Sequence, residues 1–247
     1  MMGSEGWIYG LNPVLEALRA GGNIKSVYVS SGRHEKVIDV RREAEAKRVP
    51  VETVEPSFFE GKFPKGHQGI AARVVRKQYI SLGELLAIPR EKKETPLFVI
   101  LDGIEDPRNF GAILRSAEAA GIHGVVIQSH RSAGLGPEVA KSSAGASEYV
   151  PVAMVPNIKH AIREMKEQGI TVIGTEMGEY PPVWNVDLSS PLSVVIGSEG
   201  KGARKTVREN CDIIVMIPMK GKINSLNASV AAGIVFFEIL RQRVSKS

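Results

Sequence analysis

From Leu97 onward the chain repeats one pattern: a short apolar run rich in Val and Ile, a loop of Gly, Asn, Ser or Asp, and a stretch with helical spacing. The apolar runs are LFVILD (97–102), VVIQ (125–128), Val150 to Val155, ITVIGT (170–175), SVVIG (193–197) and DIIVMI (212–217). Helices are predicted between them over Asn109 to Ala120, Pro137 to Ala146, Ile158 to Gln168 and Leu226 to Arg241. Strands this apolar need cover on both faces, and helices alternating with them supply it when the strands run parallel. The pattern therefore predicts an α/β fold with a parallel sheet. In such sheets ligands bind at the loops beyond the carboxyl ends of the strands.

Three of those loops hold the polar chemistry. They lie in LDGIEDPRNFGAILRSAEAAG (101–121), VVIGSEGKGARKTV (194–207) and MIPMKGKINSLNASVAAGIVFFEILR (216–241). In the first, Asp106-Pro107 reads as the start of a helix, with a side-chain oxygen capping free N–H groups. Arg115 lies six positions beyond Asn109, nearly two turns on, so it cannot cap the same end. It either pairs with Glu118 at i+3 or offers a guanidinium to a phosphate or ribose. In the second, the glycines suit a tight turn, but the acidic Glu199 among them is not turn chemistry; Lys201 and Arg204 either meet an anion or stay solvated. In the third, Ser225, Asn227 and Ser229 crowd the start of a helix, and capping accounts for one of the three. Val230, Ile234 and Phe237 in that helix read as core.

The first 75 or so residues read as a separate α/β module. A helix is predicted over Tyr9 to Ala20, capped by Asn12, with Pro13 in its first turn and Gly21-Gly22 ending it. Strands at Val27 to Val29, Val49 to Val54 and Ile70 to Val75, and a charged helix over His34 to Arg48, complete it. Ile80 to Ile88 could form a short helix, and PREKKETP (89–96) reads as the end of a linker. The expected division is residues 1–76, a linker at 77–95, and 96–247.

Net charge is +5, and its excess sits in front: residues 1–80 hold 13 Lys/Arg against 9 Asp/Glu. That bias suits a polyanionic partner. Arg41, Arg42, Lys47, Arg48, Lys62 and Lys65 are the candidate contacts to such a partner, the alternative for the first four being a solvated helix face. No Walker-type run and no G-x-G-x-x-G after a strand is present, which argues against a P-loop nucleotidase and a dinucleotide-dependent dehydrogenase. The five histidines are scattered without metal-ligand spacing, so no metal is expected. Cys211, the single cysteine, reads as a small buried hydrophobe. No run approaches membrane-spanning length and the start has no signal pattern, so a cytoplasmic protein without membrane partners is expected.

Taken together, the three patches resemble the motifs of the SPOUT methyltransferases, in the TrmH/RlmB branch of RNA ribose 2′-O-methyltransferases. DPRNFG with Arg115, IGSEGKG (196–202) and IPM with SLNAS (217–229) carry the likeness. IYGLNPVLEAL (8–18) and HQGIAARV (67–74) resemble the small L30e-like substrate-binding domain of the RlmB subgroup. The resemblance implies a C-terminal trefoil knot, which periodicity alone would not suggest. It implies S-adenosylmethionine as cofactor, held by Thr175, Gly197, Ile217 and Leu226, and a homodimer with Phe236, Phe237 and Leu240 of the last helix near its seam. It implies catalytic roles for Asn109, Arg115, Glu199, Ser225 and Asn227. The expected reaction is 2′-O-methylation of a guanosine in large-subunit (23S) ribosomal RNA. A tRNA ribose methyltransferase and a non-catalytic ribosome-assembly factor are the alternatives. An arginine is a poor base at neutral pH, so Arg115 is expected to clamp phosphate and stabilise a developing alkoxide.

Overall fold

The computed structural model describes residues 5–19, 24–32, 37–75, 78–222 and 225–245. The chain forms two compact units, residues 1–78 with 134–149, and residues 79–133 with 150–247.

The first unit is built on a four-stranded sheet of β1 (Glu5–Tyr9), β2 (Ile24–Ser30), β3 (Val51–Val54) and β4 (Ile70–Val75), in the order β1-β4-β2-β3. The helices α1 (Leu11–Arg19) and α2 (Ile38–Ala46) cover one face. Alternation along the strands separates the faces: Ile8, Val27, Val29, Ile70 and Ala72 pack with the helices. Trp7, Tyr9, Tyr28 and Ala71 point the other way, into Phe58, Phe59 and Phe63. The strand β1 was not anticipated, since EGWIY is too short and glycine-broken to signal one. Asn12 does not cap α1: the helix begins at Leu11, whose N–H donates to Gln68 Oε1 at 2.9 Å. The predicted helix stop at Gly21-Gly22 and the predicted start at His34 lie outside the described residues.

The second unit holds a six-stranded, all-parallel sheet in the order β10-β8-β9-β5-β6-β7. Its strands are β5 (Leu97–Asp102), β6 (Gly124–Gln128), β7 (Val152–Val155), β8 (Thr171–Thr175), β9 (Leu192–Gly197) and β10 (Ile213–Val215). The helices are α3 (Leu82–Lys92), α4 (Pro107–Ala119), α6 (Ile158–Glu167), the short α7 (Lys205–Arg208) and α8 (Ala228–Val244), with α5 (Pro137–Ser142) in the first unit. Apolar residues of α3 and α6 pack on Phe98, Ile100, Val126, Val172 and Val195. The helices α4 and α8 pack on each other, and α8 reaches β9. The buried residues of β5, β6 and β9 that alternate with those five (Val99, Leu101, Val125, Ile127, Val194, Ile196) thus have their own cover.

Two boundaries differ from the sequence reading. Most of the expected linker is α3, started by a reciprocal capping box between Ser81 and Glu84. Its Leu85 is fully buried over Gly124, where a Cβ would collide with the leucine methyl. The segment 134–149 belongs with the first unit rather than with 96–247, because Ala140 joins that unit's core, Gly145 sits where any Cβ would strike Glu16, and the Tyr149 hydroxyl donates to Glu16 Oε2 at 3.0 Å.

Candidate active site

The strand order places the three motif loops at one end of the sheet. β5 and β9 are neighbours, so the loops leaving them meet: a Cβ on Gly103 would lie 3.4 Å from Ser198 Cβ. The loop after β9 doubles back, with Ser198 N–H donating to Gly202 O at 3.1 Å and Gly202 N–H to Ser198 O at 2.9 Å. Gly197 permits this fold-back, since a Cβ there would collide with the backbone of Gly202 and Ala203.

At this junction one residue from each motif joins. Asn109, in the first turn of α4, donates through Nδ2 to Glu199 Oε1 at 3.0 Å. Asn227 donates through Nδ2 to Asn109 Oδ1 at 2.9 Å and also to Glu199 Oε1. Asn227 has a second role: its Oδ1 caps α8, accepting from Ser229 N at 2.9 Å and Val230 N at 3.3 Å. The capping expected of one of the three polar residues thus falls on Asn227, without excluding it from the site. Asp106 is the cap of α4 and accepts from Arg108 N at 2.8 Å; that bond, with the Arg108 guanidinium, holds its carboxyl below its ordinary value.

Beside the junction lies a cleft of ≈ 160 Å³. All four residues expected to hold a cofactor, Thr175, Gly197, Ile217 and Leu226, line it, as do Glu199 and Ser225. Ile196, Met219, Ala228 and Ala231 add apolar wall, and Glu176 and Glu199 add carboxylates. This set fits a ligand with a flat apolar ring system at one end and positive charge elsewhere. A second cleft, of ≈ 650 Å³, shares Ser198, Glu199, Lys201 and Gly202 with the first and adds Asn109, Arg131 and Arg204.

Arg115 stands apart. It is exposed, and about 9 Å, or roughly one and two-thirds turns, along α4 from Asn109. Among the described residues it forms neither the ion pair with Glu118 nor a bond to Asn109. Arg204 is half-buried and paired within the chain: its Nε donates to Asp102 Oδ1 at 2.7 Å and its Nη2 to Gln128 Oε1 at 2.5 Å. Cys211 packs against the core of the second unit, and burial pushes its thiol up to about 12, which leaves no reactive thiolate near neutral pH.

The six basic residues proposed for RNA do not form one patch. Arg41 and Arg42 ride on α2, the first bonded to Thr53 Oγ1 at 2.8 Å and the second paired with Asp39 at 2.9 Å, and Lys47 and Arg48 follow at its end. Lys62 belongs to the segment on the other face, with Nζ 4.1 Å from the Trp7 ring centre and 4.3 Å from that of Phe58. Lys65 is exposed, and its carbonyl accepts from Lys141 Nζ at 3.1 Å. Sequence reading missed Asp102 and Glu176; the one available signal was an acid at, or one residue past, the end of an apolar strand.

Residues 96–237 match the model of the SpoU rRNA Methylase family, and residues 7–80 match that for RNA 2′-O ribose methyltransferase substrate binding. The chain belongs to the SpoU methylase family. It is 40% identical to the TrmH family protein YacO of Bacillus subtilis (strain 168) over 241 residues, 96% of each chain. It is 38% identical to a TrmH family protein of Staphylococcus haemolyticus over 237 residues, 96% of this chain and 95% of that one. Among solved structures, the SpoU methyltransferase AviRb from Streptomyces viridochromogenes, in complex with S-adenosylmethionine, superposes with a TM-score of 0.81 at 27% identity, covering 98% of this chain and 91% of AviRb. The TrmH/SpoU tRNA modifying enzyme of A. aeolicus superposes with a TM-score of 0.57 at 29% identity and covers 67% of this chain and 83% of its own. The three loops that converge on Asn109, Glu199 and Asn227 all lie within residues 96–237, the part that matches the methylase model.

Proposed function

We propose that this SpoU family chain methylates the ribose 2′-oxygen of a guanosine in large-subunit (23S) ribosomal RNA, with S-adenosylmethionine as methyl donor. The observation that carries this reading is the Asn109–Glu199–Asn227 junction at the edge of the cleft lined by Thr175, Gly197, Ile217 and Leu226. The bound cofactor supplies a methyl group already activated on a sulfonium, so the protein's tasks are alignment and handling one hydroxyl proton. The two amides engage Glu199 Oε1 and leave Oε2 to orient the ribose hydroxyl or relay its proton. Arg115, exposed, clamps the adjoining phosphate and stabilises the developing alkoxide. Ser225 and Leu226 shape the cofactor wall just ahead of the Asn227 cap.

The front unit, L30e-like in this reading, supplies RNA affinity. The A. aeolicus tRNA enzyme matches only 67% of the chain, whereas a separate substrate-binding model spans residues 7–80; this favours ribosomal RNA over tRNA. A C-terminal trefoil knot is also part of this reading, supported by the return of the chain from β10, at the sheet edge, to the contact of Asn227 with Asn109. A homodimer is part of this reading. Val230, Ile234 and Phe237, expected as core, are 50%, 38% and 49% exposed and form an apolar stripe on α8, while Phe236 is buried within its own chain. These three face outward because Ala228, Ala232, Val235, Phe236 and Ile239 form the buried face of the helix, which packs against α4 and β9.

The test is transfer of label from S-adenosylmethionine to separate pools of large-subunit ribosomal RNA and tRNA, followed by nucleoside identification. Label recovered as 2′-O-methylguanosine in ribosomal RNA is expected. Label confined to tRNA would overturn the substrate, and no label despite cofactor binding would overturn the activity.

A further inference from the structure

The loop that carries Glu199 is short and contains Gly200 and Gly202 at positive φ. Such a segment has little to hold it in place by itself. Its two internal backbone bonds close it on itself without tying it to the sheet. Two acids supply that tie. Glu176, the first residue beyond β8, has a side chain only 8% exposed, and its Oε1 accepts from Ala203 N at 2.8 Å. Asp102, the last residue of β5, is 1% exposed, and its Oδ2 accepts from Arg204 N at 2.8 Å. β8 and β5 are the two neighbours of β9. Successive N–H groups on the loop's return limb are therefore held from strands on both sides of the strand it left.

The fit is close. A Cβ on Gly202 would collide with the Glu176 carboxylate, and Arg208 Nη1 stands 3.8 Å from its Oε2. The Arg204 side chain closes on Asp102 Oδ1 with Nη2 at 2.6 Å. Buried carboxylates are costly unless fully bonded, and apolar residues would pack strand ends more cheaply. What these two acids do that apolar residues cannot is accept backbone N–H groups from one particular loop. We propose that Asp102 and Glu176 are positioning residues: they fix the loop so that the Glu199 carboxylate stands where Asn109 and Asn227 meet it. This rests on the reading of Glu199 given above.

The test is single-turnover methyl transfer to deproteinised large-subunit ribosomal RNA at saturating S-adenosylmethionine, with cofactor affinity and thermal unfolding measured on the same samples. Glu176→Ala is expected to slow the step about ten- to a hundredfold, the loss of one charge-assisted hydrogen bond. Glu176→Gln keeps an acceptor for the Ala203 N–H and should restore most of that rate. Glu176→Asp keeps the charge but withdraws the acceptor by a methylene, and should resemble Ala; the Gln–Asp comparison stands even if Glu176→Ala fails to fold. In a Glu199→Gln background, removing the Glu176 acceptor should cost less than about twofold more, because the residue acts through Glu199. A full second loss in that background, or an active Asp variant with an inactive Gln variant, would overturn the inference. If Glu199→Gln alone left the rate unchanged, the reading of the site would fall first, and the inference would lose its premise.

Discussion

Asn227 uses its two side-chain atoms for different purposes, and substitutions can separate them. Oδ1 caps α8, and Nδ2 joins Asn109 to Glu199. Asn227→Asp keeps the capping oxygen and adds a negative charge at a helix N-terminus, which is neutral to favourable for stability. It replaces the donor by an acceptor facing Glu199 Oε1 and Asn109 Oδ1, so three acceptors converge and both bonds are lost. At about 0.5–1.5 kcal/mol per bond, with repulsion between the carboxylates in addition, a rate loss of tenfold or more is expected. Asn227→Ala loses the cap as well, worth about 1 kcal/mol, or roughly 2–4 °C in Tm for a chain of this size. Asn227→Ser should restore the Tm lost in the Ala variant while leaving methyl transfer impaired. Calorimetry and single-turnover assays on the three variants give the comparison. A fully active Asp variant, or a Tm that drops equally in Asp and Ala, would refute the division of labour.

Four further outcomes follow from specific contacts. Burial pushes the His123 imidazole below its ordinary value, and the ring accepts the Leu97 N–H at 3.2 Å through Nδ1. The unfolded chain therefore binds the proton more readily, so this contribution is complete above about pH 6.5 and is lost as pH falls below it. Tm should decline more steeply from pH 7.5 to 5.5 in the parent than in His123→Gln; equal slopes would sink the assignment. Leu85→Ala, emptying the fully buried site over Gly124, should cost about 2–5 kcal/mol in denaturant unfolding, and a loss below about 1 kcal/mol would restore the linker reading. Arg115→Ala and Arg115→Lys should both lose nearly all turnover with cofactor affinity within a few-fold, and an active Lys variant would remove the bidentate clamp. Phe237→Glu, on the exposed stripe of α8, should shift sedimentation toward the monomer, and an unchanged mass would place the seam elsewhere.

The second unit was the more legible. Its strands are apolar on both faces and separated by glycine and polar loops, so even the buried Leu97–Asp102 run ends where the sequence places it. The first unit was harder, because its strands are short and its second core is aromatic. Trp7, Tyr9 and Tyr28 gain their meaning from Phe58 and Phe63, some thirty to fifty residues away in sequence. The short helix allowed over Ile80 to Ile88 runs on through Pro89 to Lys92 for a related reason: Pro89 and the charges around it suggest a linker, but Leu85 and Leu86 pack with Val126 of β6 and Ala153 and Val155 of β7. Tertiary packing there overrides local composition.

The site divides the same way. Glu199 could be singled out because an acid among glycines is not turn chemistry, whereas Asn109 and Asn227 were singled out by the resemblance of their motifs. Residues that act through another motif's backbone were not. Asp102 and Glu176 lie 102 and 27 positions from the N–H groups they accept, and no spacing rule links them. The α8 stripe shows the converse error. Val230, Ile234 and Phe237 have the spacing of a core face, but the face that α4 and β9 cover is taken by Ala228, Ala232, Val235, Phe236 and Ile239. The seam of the proposed homodimer is therefore expected on the apolar stripe of α8 that its own chain leaves uncovered, the stripe that spacing alone reads as core.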